Sequence, residues 1–453
     1  MWQVLFRIPV RADWLPGWFP LPALVAAVIL LLAAAAWFLA PRGLFKVSAE
    51  QWRNAAKWLA GFGIAVGIGL FAAANWWPEG IPVHGFGMML FVAFLTCNWV
   101  AGRLAKGVTF MTVARGPKAG KDYLAETYPP EERDRRALDV IQDTAVLIFI
   151  GGLVSARVTY LVKTEEINSL GDLLFKLPMI WEGGIILYGS LIGGLIVYLG
   201  TYFYLYHRRN ARLDTLKLAD IAAPTLAIGL AIGRLGCLLN GCCYGQVACA
   251  DCVVRPIHFP LSAPARYALV HEGYQTAAGF TLIGSPDDAA AVDKVAPNSA
   301  AERAGLRPGD RIVKANDKVI ESRSDLDAVL SSWPRGERLL RLELLDAGGN
   351  RRDVSFVPYT IGLYATQVYE SISMFLLFLV LLAYRPLQTR DGQLMPLLMM
   401  GYGVHRYLNE LLRNDPRPEG LESWTSVALI VAGAILFVWL YTFPARGKSK
   451  TAA

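Results

Sequence analysis

Apolar runs of bilayer-crossing length alternate with short polar segments along the 453-residue chain. The pattern predicts about nine membrane helices: Leu21–Ala40, Trp58–Trp77, His84–Ala105, Thr144–Val162, Gly183–Tyr206, Leu218–Leu239, Ala365–Tyr384, Leu394–Leu412 and Ser423–Phe443. Pro20 to Ala40 is too long for the apolar region of a cleaved leader and is followed by another apolar run, so it is expected to be retained. Leu394–Leu412 is the weakest span, because His405, Arg406, Asn409 and Glu410 lie inside it.

One region breaks this rhythm. From about Gly279 to Val357 the chain changes to alternating strand patterns, Asp/Gly turns and charged residues. Ala304-Gly305-Leu306-Arg307-Pro308-Gly309-Asp310 leads into the strand pattern Arg311-Ile312-Val313, and a helix-like Ser324–Leu330 follows. This region resembles a PDZ domain of the bacterial protease-associated kind. Such a domain offers a sheet edge to which an extended peptide can add. Gly279-Phe280-Thr281-Leu282 is the candidate carboxylate-holding loop, and an inert spacer is the competing reading.

Composition supports a membrane protein: 54% of residues are hydrophobic and 18% charged, below the roughly 25% of soluble domains. The net charge of +7 does not point to nucleic acid, because the basic residues cluster in short loops between apolar runs. Those loops hold Arg42 and Lys46, then Arg115 to Arg136, then Arg208 to Arg212, then Arg385 and Arg390. With the basic side cytoplasmic, the N-terminus and the Gly279–Val357 region lie outside and the basic C-terminal tail lies inside.

Three polar groupings fall within this apolar frame. The first is Gly233-Arg234-Leu235-Gly236-Cys237-Leu238-Leu239-Asn240-Gly241-Cys242-Cys243-Tyr244-Gly245, at the outer end of a span. An arginine at that depth is costly unless it faces a partner or a polar cavity, and glycine lets backbone approach a ligand closely. The second is the glycine-rich helix start Trp181–Gly194. The third is His405–Arg413, where Arg406, Glu410 and Arg413 share a helical face. Two membrane arginines near one leaflet suit an anionic group, and a phospholipid phosphate is the natural one.

Taken in order, these groupings resemble the prolipoprotein diacylglyceryl transferase family from about Pro82 onward. The resemblance rests on Val83–Met88, Asp143 with the run ending at Arg157, Glu182–Gly194, Asp220–Pro224 with Gly233–Gly241, Thr366-Gln367-Val368-Tyr369-Glu370, and Arg406–Arg413. It implies an all-α polytopic membrane fold with seven of the nine helices in the family core and the small α+β PDZ-like domain inserted on the outer side. The expected division is 1–81 for two extra helices, 82–278 for the first part of the core, 279–357 for the insertion, and 358–453 for the rest of the core and the tail.

The activity implied is transfer of the diacylglyceryl group of phosphatidylglycerol to the lipobox cysteine of a preprolipoprotein, at the outer face of a bacterial cytoplasmic membrane. Catalytic roles are then expected for Arg234, Arg406, Tyr188 and His84, the last two as open candidates for phosphate hydrogen bonding and proton transfer. Substrate contacts are expected at Asn240, Gly245, Glu410, Arg157, Gly189, Asp220, Gln367, Tyr369 and Glu370. No cofactor and no metal are expected in the site. The partners are phosphatidylglycerol, the preprolipoprotein signal-peptide segment, surrounding lipid and a peptide ligand of the PDZ-like domain.

Five of the six cysteines, Cys237, Cys242, Cys243, Cys249 and Cys252, fall at or beyond the outer end of one span. Disulfides suit an oxidising outer face, and a zinc site with His258 nearby is the alternative. Cys97 lies mid-span and reads as packing. The other functional classes are an intramembrane protease, a scaffold acting through the PDZ-like domain alone, and a diverged transferase with another acceptor. The protease reading fails its zinc pattern, because Gly273-Tyr274-Gln275 follows His271-Glu272.

Overall fold

The computed structural model describes residues 4–8, 81–163, 169–177, 186–248, 255–333, 339–346, 348–414 and 421–442. The spans expected at Leu21–Ala40 and Trp58–Trp77 lie outside the described residues.

In chain order, strand β1 (Val4–Ile8) pairs with β2 (Ile81–His84), and helix α1 (Gly85–Ala105) follows. Next come β3 (Met111–Val113), α2 (Tyr123–Thr127), α3 (Pro130–Lys163), α4 (Leu170–Lys176), α5 (Leu187–Arg208), β4 (Ala211–Leu213) and α6 (Thr215–Asn240). The middle of the chain holds α7 (Pro264–His271), β5 (Phe280–Leu282), β6 (Val292–Val295), α8 (Ala300–Arg303), β7 (Arg311–Ala315), β8 (Lys318–Val319), α9 (Arg323–Ser331), β9 (Leu340–Leu345) and β10 (Arg351–Phe356). The chain closes with α10 (Thr366–Tyr384), α11 (Leu394–Glu410) and α12 (Leu421–Thr442).

Among the described residues, six helices are long and apolar enough to cross a membrane: α1, α3, α5, α6, α10 and α12. The protein is therefore a polytopic, mainly helical membrane protein. The expected eighth span forms a helix of 17 residues, shorter than these six. The expected fourth span, Thr144–Val162, is the apolar half of a 34-residue helix. Its polar half starts with proline and two glutamates in the first turn, where a proline N–H is not needed and acidic groups meet the helix dipole favourably.

Two compact units divide the chain. One comprises residues 89–235, 243–246 and 364–453. In it α3 and α5 approach closely through small residues, as membrane helices do when backbone packing replaces the hydrophobic drive. A Cβ on Gly152 would lie 3.2 Å from the Ser190 carbonyl, and one on Gly189 2.8 Å from that of Ser155. The same device joins α11 to α12, where Gly403 faces the Ser426 carbonyl at 3.0 Å and Gly433 that of Pro396 at 2.9 Å. Outward residues such as Leu191, Leu195 and Ile196 of α5 are exposed, as a lipid-facing surface requires. An apolar cavity of about 600 Å³ lies between α1, α3, α5 and α6 and reaches Leu230, one helical turn before Arg234.

The other unit comprises 1–88, 236–242 and 247–363. It contains a four-stranded antiparallel sheet in the order β10-β9-β7-β8 and the pair β5-β6. Alternation in Leu340-Arg341-Leu342-Glu343-Leu344 buries the three leucines, which pack with Phe280, Val292, Ile312, Leu326 and Phe356. Asp310, 4% exposed, pairs with Arg352 at 2.6 Å and accepts the Arg307 N–H, which fixes the Gly305–Asp310 turn. Arg266 of α7 donates to the Leu330 carbonyl and Tyr267 to that of Ser331, so α7 caps the C-terminal end of α9.

Candidate active site

Buried charge in the helical unit gathers where α6, α10 and α11 meet. Glu370, in the first turns of α10, is 1% exposed. Its Oε1 lies 2.8 Å from Arg234 Nη2 on α6, and its Oε2 accepts from Asn409 Nδ2 on α11 at 3.1 Å. His405 Nε2 stands 3.9 Å from the same Oε2. One turn along α11, Arg406 Nη2 pairs with Glu410 Oε2 at 3.4 Å. Tyr402 faces the same field, within electrostatic reach of Glu370, Arg234, Arg406 and Arg413.

Short backbone links hold these helix ends in register. Residues 243–246 thread between the start of α10 and the end of α11. The Gly245 N–H donates to the Tyr364 carbonyl at 3.1 Å, and the Tyr364 N–H to that of Gln246 at 3.0 Å. The Gln246 N–H donates to Leu412 and the Asn414 N–H to Tyr244, while Thr366 Oγ1 donates to the Cys243 carbonyl at 2.8 Å. A Cβ on Gly245 would lie 2.7 Å from the Tyr364 carbonyl and 3.0 Å from that of Leu412, so only glycine fits between the strands.

The expected site residues therefore separate. Arg234, Glu370, Arg406 and Glu410 come together. Gln367, 1% exposed, and Tyr369 lie in the same first turns of α10. Gly245 fits a close backbone crossing rather than a ligand approach. Gly189 packs against the Thr159 side chain and the Ser155 backbone, so its small size serves the α3–α5 contact. Arg157, 3% exposed, donates to the Lys176 carbonyl at 3.3 Å and covers the Tyr160 ring. Asp220 lies four turns from Arg234 along α6 and accepts the backbone N–H groups of Gly392 at 2.5 Å and Leu394 at 2.9 Å. It caps the start of α11 from a neighbouring helix.

His84 ends strand β2 instead of opening the third span, and Asn240 is the last residue of α6. The Tyr188 side chain lies outside the described residues. Beyond Asn240, Gly241 turns the chain at φ 75°, and the N–H groups of Gly241 and Cys242 return to the Cys237 carbonyl. Cys237, Cys242 and Cys243 are not joined to one another by disulfides; Cys249 and Cys252 lie outside the described residues. Cys97 donates to the Thr225 carbonyl between helices.

Sequence reasoning passed over His405, Asn409 and Ser373 as site residues. The signal was present: His405 and Asn409 are spaced i, i+4, one position behind Arg406 and Glu410, so the polar face of α11 is wider than its arginines alone suggest.

Helices, buried side-chain ion pairs and a lipid-facing surface define a multi-pass membrane protein with a charged site among its spans. The chain belongs to the prolipoprotein diacylglyceryl transferase family, whose sequence model matches residues 74–439. The match starts slightly before the expected Pro82. It is similar to a phosphatidylglycerol–prolipoprotein diacylglyceryl transferase of Rhodopirellula baltica, 26% identical over 397 residues, 80% of this chain and 73% of that protein. A relative of the same description from Clostridium tetani is 24% identical over 306 residues, 67% of this chain and 80% of its own. One from Gloeobacter violaceus is 36% identical over 122 residues, 27% of this chain and 42% of its own.

Proposed function

We propose that this enzyme transfers the diacylglyceryl group of phosphatidylglycerol to the lipobox cysteine thiol of preprolipoproteins. Family membership supports the reaction class, and the observation that carries it to particular residues is the buried Arg234–Glu370 pair with Arg406 beside it. In the reaction the sulfur lone pair forms a C–S bond to the glyceryl methylene. The C–O bond to the phosphate breaks, and glycerol phosphate leaves with the electron pair. The thiol proton passes to a nearby base, for which His84 is the candidate from sequence, while Tyr188 is the candidate for a hydrogen bond to the phosphate.

Negative charge grows on the leaving phosphate, so guanidinium donors fixed in a water-poor site favour the transition state. Arg234 and Arg406 fill that role, with Glu370 and Glu410 orienting them until the phosphate arrives. Gln367 and Tyr369 line the same end of α10, and Asn240 and Arg157 act as further polar contacts for the headgroup. The apolar cavity ending one turn below Arg234 gives an acyl chain room while the phosphate stays at the arginines. On this reading the site faces the outer leaflet of a bacterial cytoplasmic membrane. The N-terminus and residues 279–357 lie outside and the tail inside, following the charge of the loops. Residues 279–357 act as a PDZ-like domain that takes an extended peptide along β5, an edge strand of its two-stranded sheet.

Complementation tests the reading. The chain should support growth of a cell depleted of its own diacylglyceryl transferase, and Arg234→Ala and Arg406→Ala should not. Failure of the wild-type chain, expressed and inserted, would refute it.

A further inference from the structure

His405 belongs to no resemblance motif, yet it is the one imidazole in the charged cluster. Its side chain is 12% exposed, and its two ring nitrogens face different partners. Nδ1 lies 2.8 Å from Ser373 Oγ on α10. The single Ser373 hydroxyl hydrogen is taken by the Tyr369 carbonyl one turn back, at 2.6 Å. The serine oxygen therefore accepts, and Nδ1 carries the hydrogen. That leaves Nε2 as the nitrogen that gains or loses a proton. It is buried without a hydrogen-bond partner among the described residues and faces Glu370 Oε2 at 3.9 Å. Neutral His405 thus sets a lone pair toward a carboxylate, whereas the imidazolium sets an N–H there.

We propose that His405 is a positioning residue whose protonation shares the Glu370 charge and so releases the positive field of Arg234 to the donor phosphate. Arg234, Glu370 and His405 together are neutral when His405 is neutral and carry one net positive charge when it is protonated. Among the described residues, the other charged or titratable groups facing this centre are Arg406 with its partner Glu410, Tyr402 and Arg413, from α11 and its C-terminal end. From α12, packed on α11, the described side chains bring only Tyr441, which is exposed. The inference rests on Arg234 binding a lipid phosphate, and deepens that reading by making the affinity depend on pH.

The test uses the detergent-solubilised full chain with a short-chain phosphatidylglycerol, and phosphatidylcholine of equal chain length as the reference. Wild-type affinity for phosphatidylglycerol should fall about tenfold as pH is raised and His405 loses its Nε2 proton, with no such change for phosphatidylcholine. His405→Gln should bind weakly and without this pH step, His405→Lys should bind without the step but tightly, and Ser373→Ala should move the midpoint. A flat wild-type profile, or an unaltered step in His405→Gln, would overturn the proposal. Thioether formation on a lipobox peptide is followed in the same samples. Its absence alongside the expected binding would sink the transferase reading and leave the role of His405 standing. Its presence with a flat binding profile would do the reverse.

Discussion

At one end of α6 the Asp220 carboxylate accepts two backbone N–H groups at the start of α11. At the other end the Arg234 guanidinium meets the Glu370 carboxylate, itself held by Asn409. Both are charges inside a membrane helix, both fall in the same family-like segment, and both are satisfied. The difference lies in what satisfies them. Backbone donors at a helix start are fixed by the fold and cannot turn to another partner without unwinding it. Side-chain partners can exchange. An arginine paired with a carboxylate tolerates the membrane interior when no lipid is bound and offers its guanidinium when a phosphate competes. Asp220 is thereby a structural cap, whereas the proposed function makes Arg234 a binding group, although the sequence pattern presents them alike.

The largest effect that sharpens this contrast is at the Arg234 end. Arg234→Ala should slow thioether formation by about 100- to 1000-fold, the scale for losing a donor to developing charge. Arg406→Lys keeps the charge but loses the planar fork, and should cost about tenfold in the same assay. Asp220→Ala should behave oppositely: about 1–3 kcal/mol of stability lost with the two orphaned amides, read as a lowered unfolding temperature, and little change in rate per folded molecule. A rate loss for Asp220→Ala matching that of Arg234→Ala would break the comparison. The smallest effect should come from replacing residues 279–357 with a short linker, which should leave transfer to a soluble lipobox peptide essentially unchanged.

Much of this was legible in the sequence because bilayer length is a strong constraint: α1, α5, α6, α10 and α12 lie close to the apolar runs that predict them. The polar half of α3 escaped notice because hydropathy ends where charge begins, although Pro130-Glu131-Glu132 already signals a helix start. The arginines stood out as costly residues in apolar helices. Their partners did not, since Arg234 and Glu370 are 136 positions apart and nothing local couples them. Gly189 and Gly245 were readable as sites of close approach. What approaches them is neighbouring backbone, a distinction that only tertiary packing makes. His405 was visible within the His405–Arg413 grouping, but nothing local marks which of its nitrogens meets a carboxylate on another helix.

The central claim is that the Arg234–Glu370 centre transfers a diacylglyceryl group. The most direct measurement is mass spectrometry of a lipobox peptide incubated with the purified full chain in phosphatidylglycerol vesicles. The account predicts a peptide heavier by one diacylglyceryl group on its cysteine, with glycerol phosphate released in equal amount, and neither product from Arg234→Ala. An unmodified peptide from folded wild-type protein, or undiminished transfer by Arg234→Ala, would contradict it.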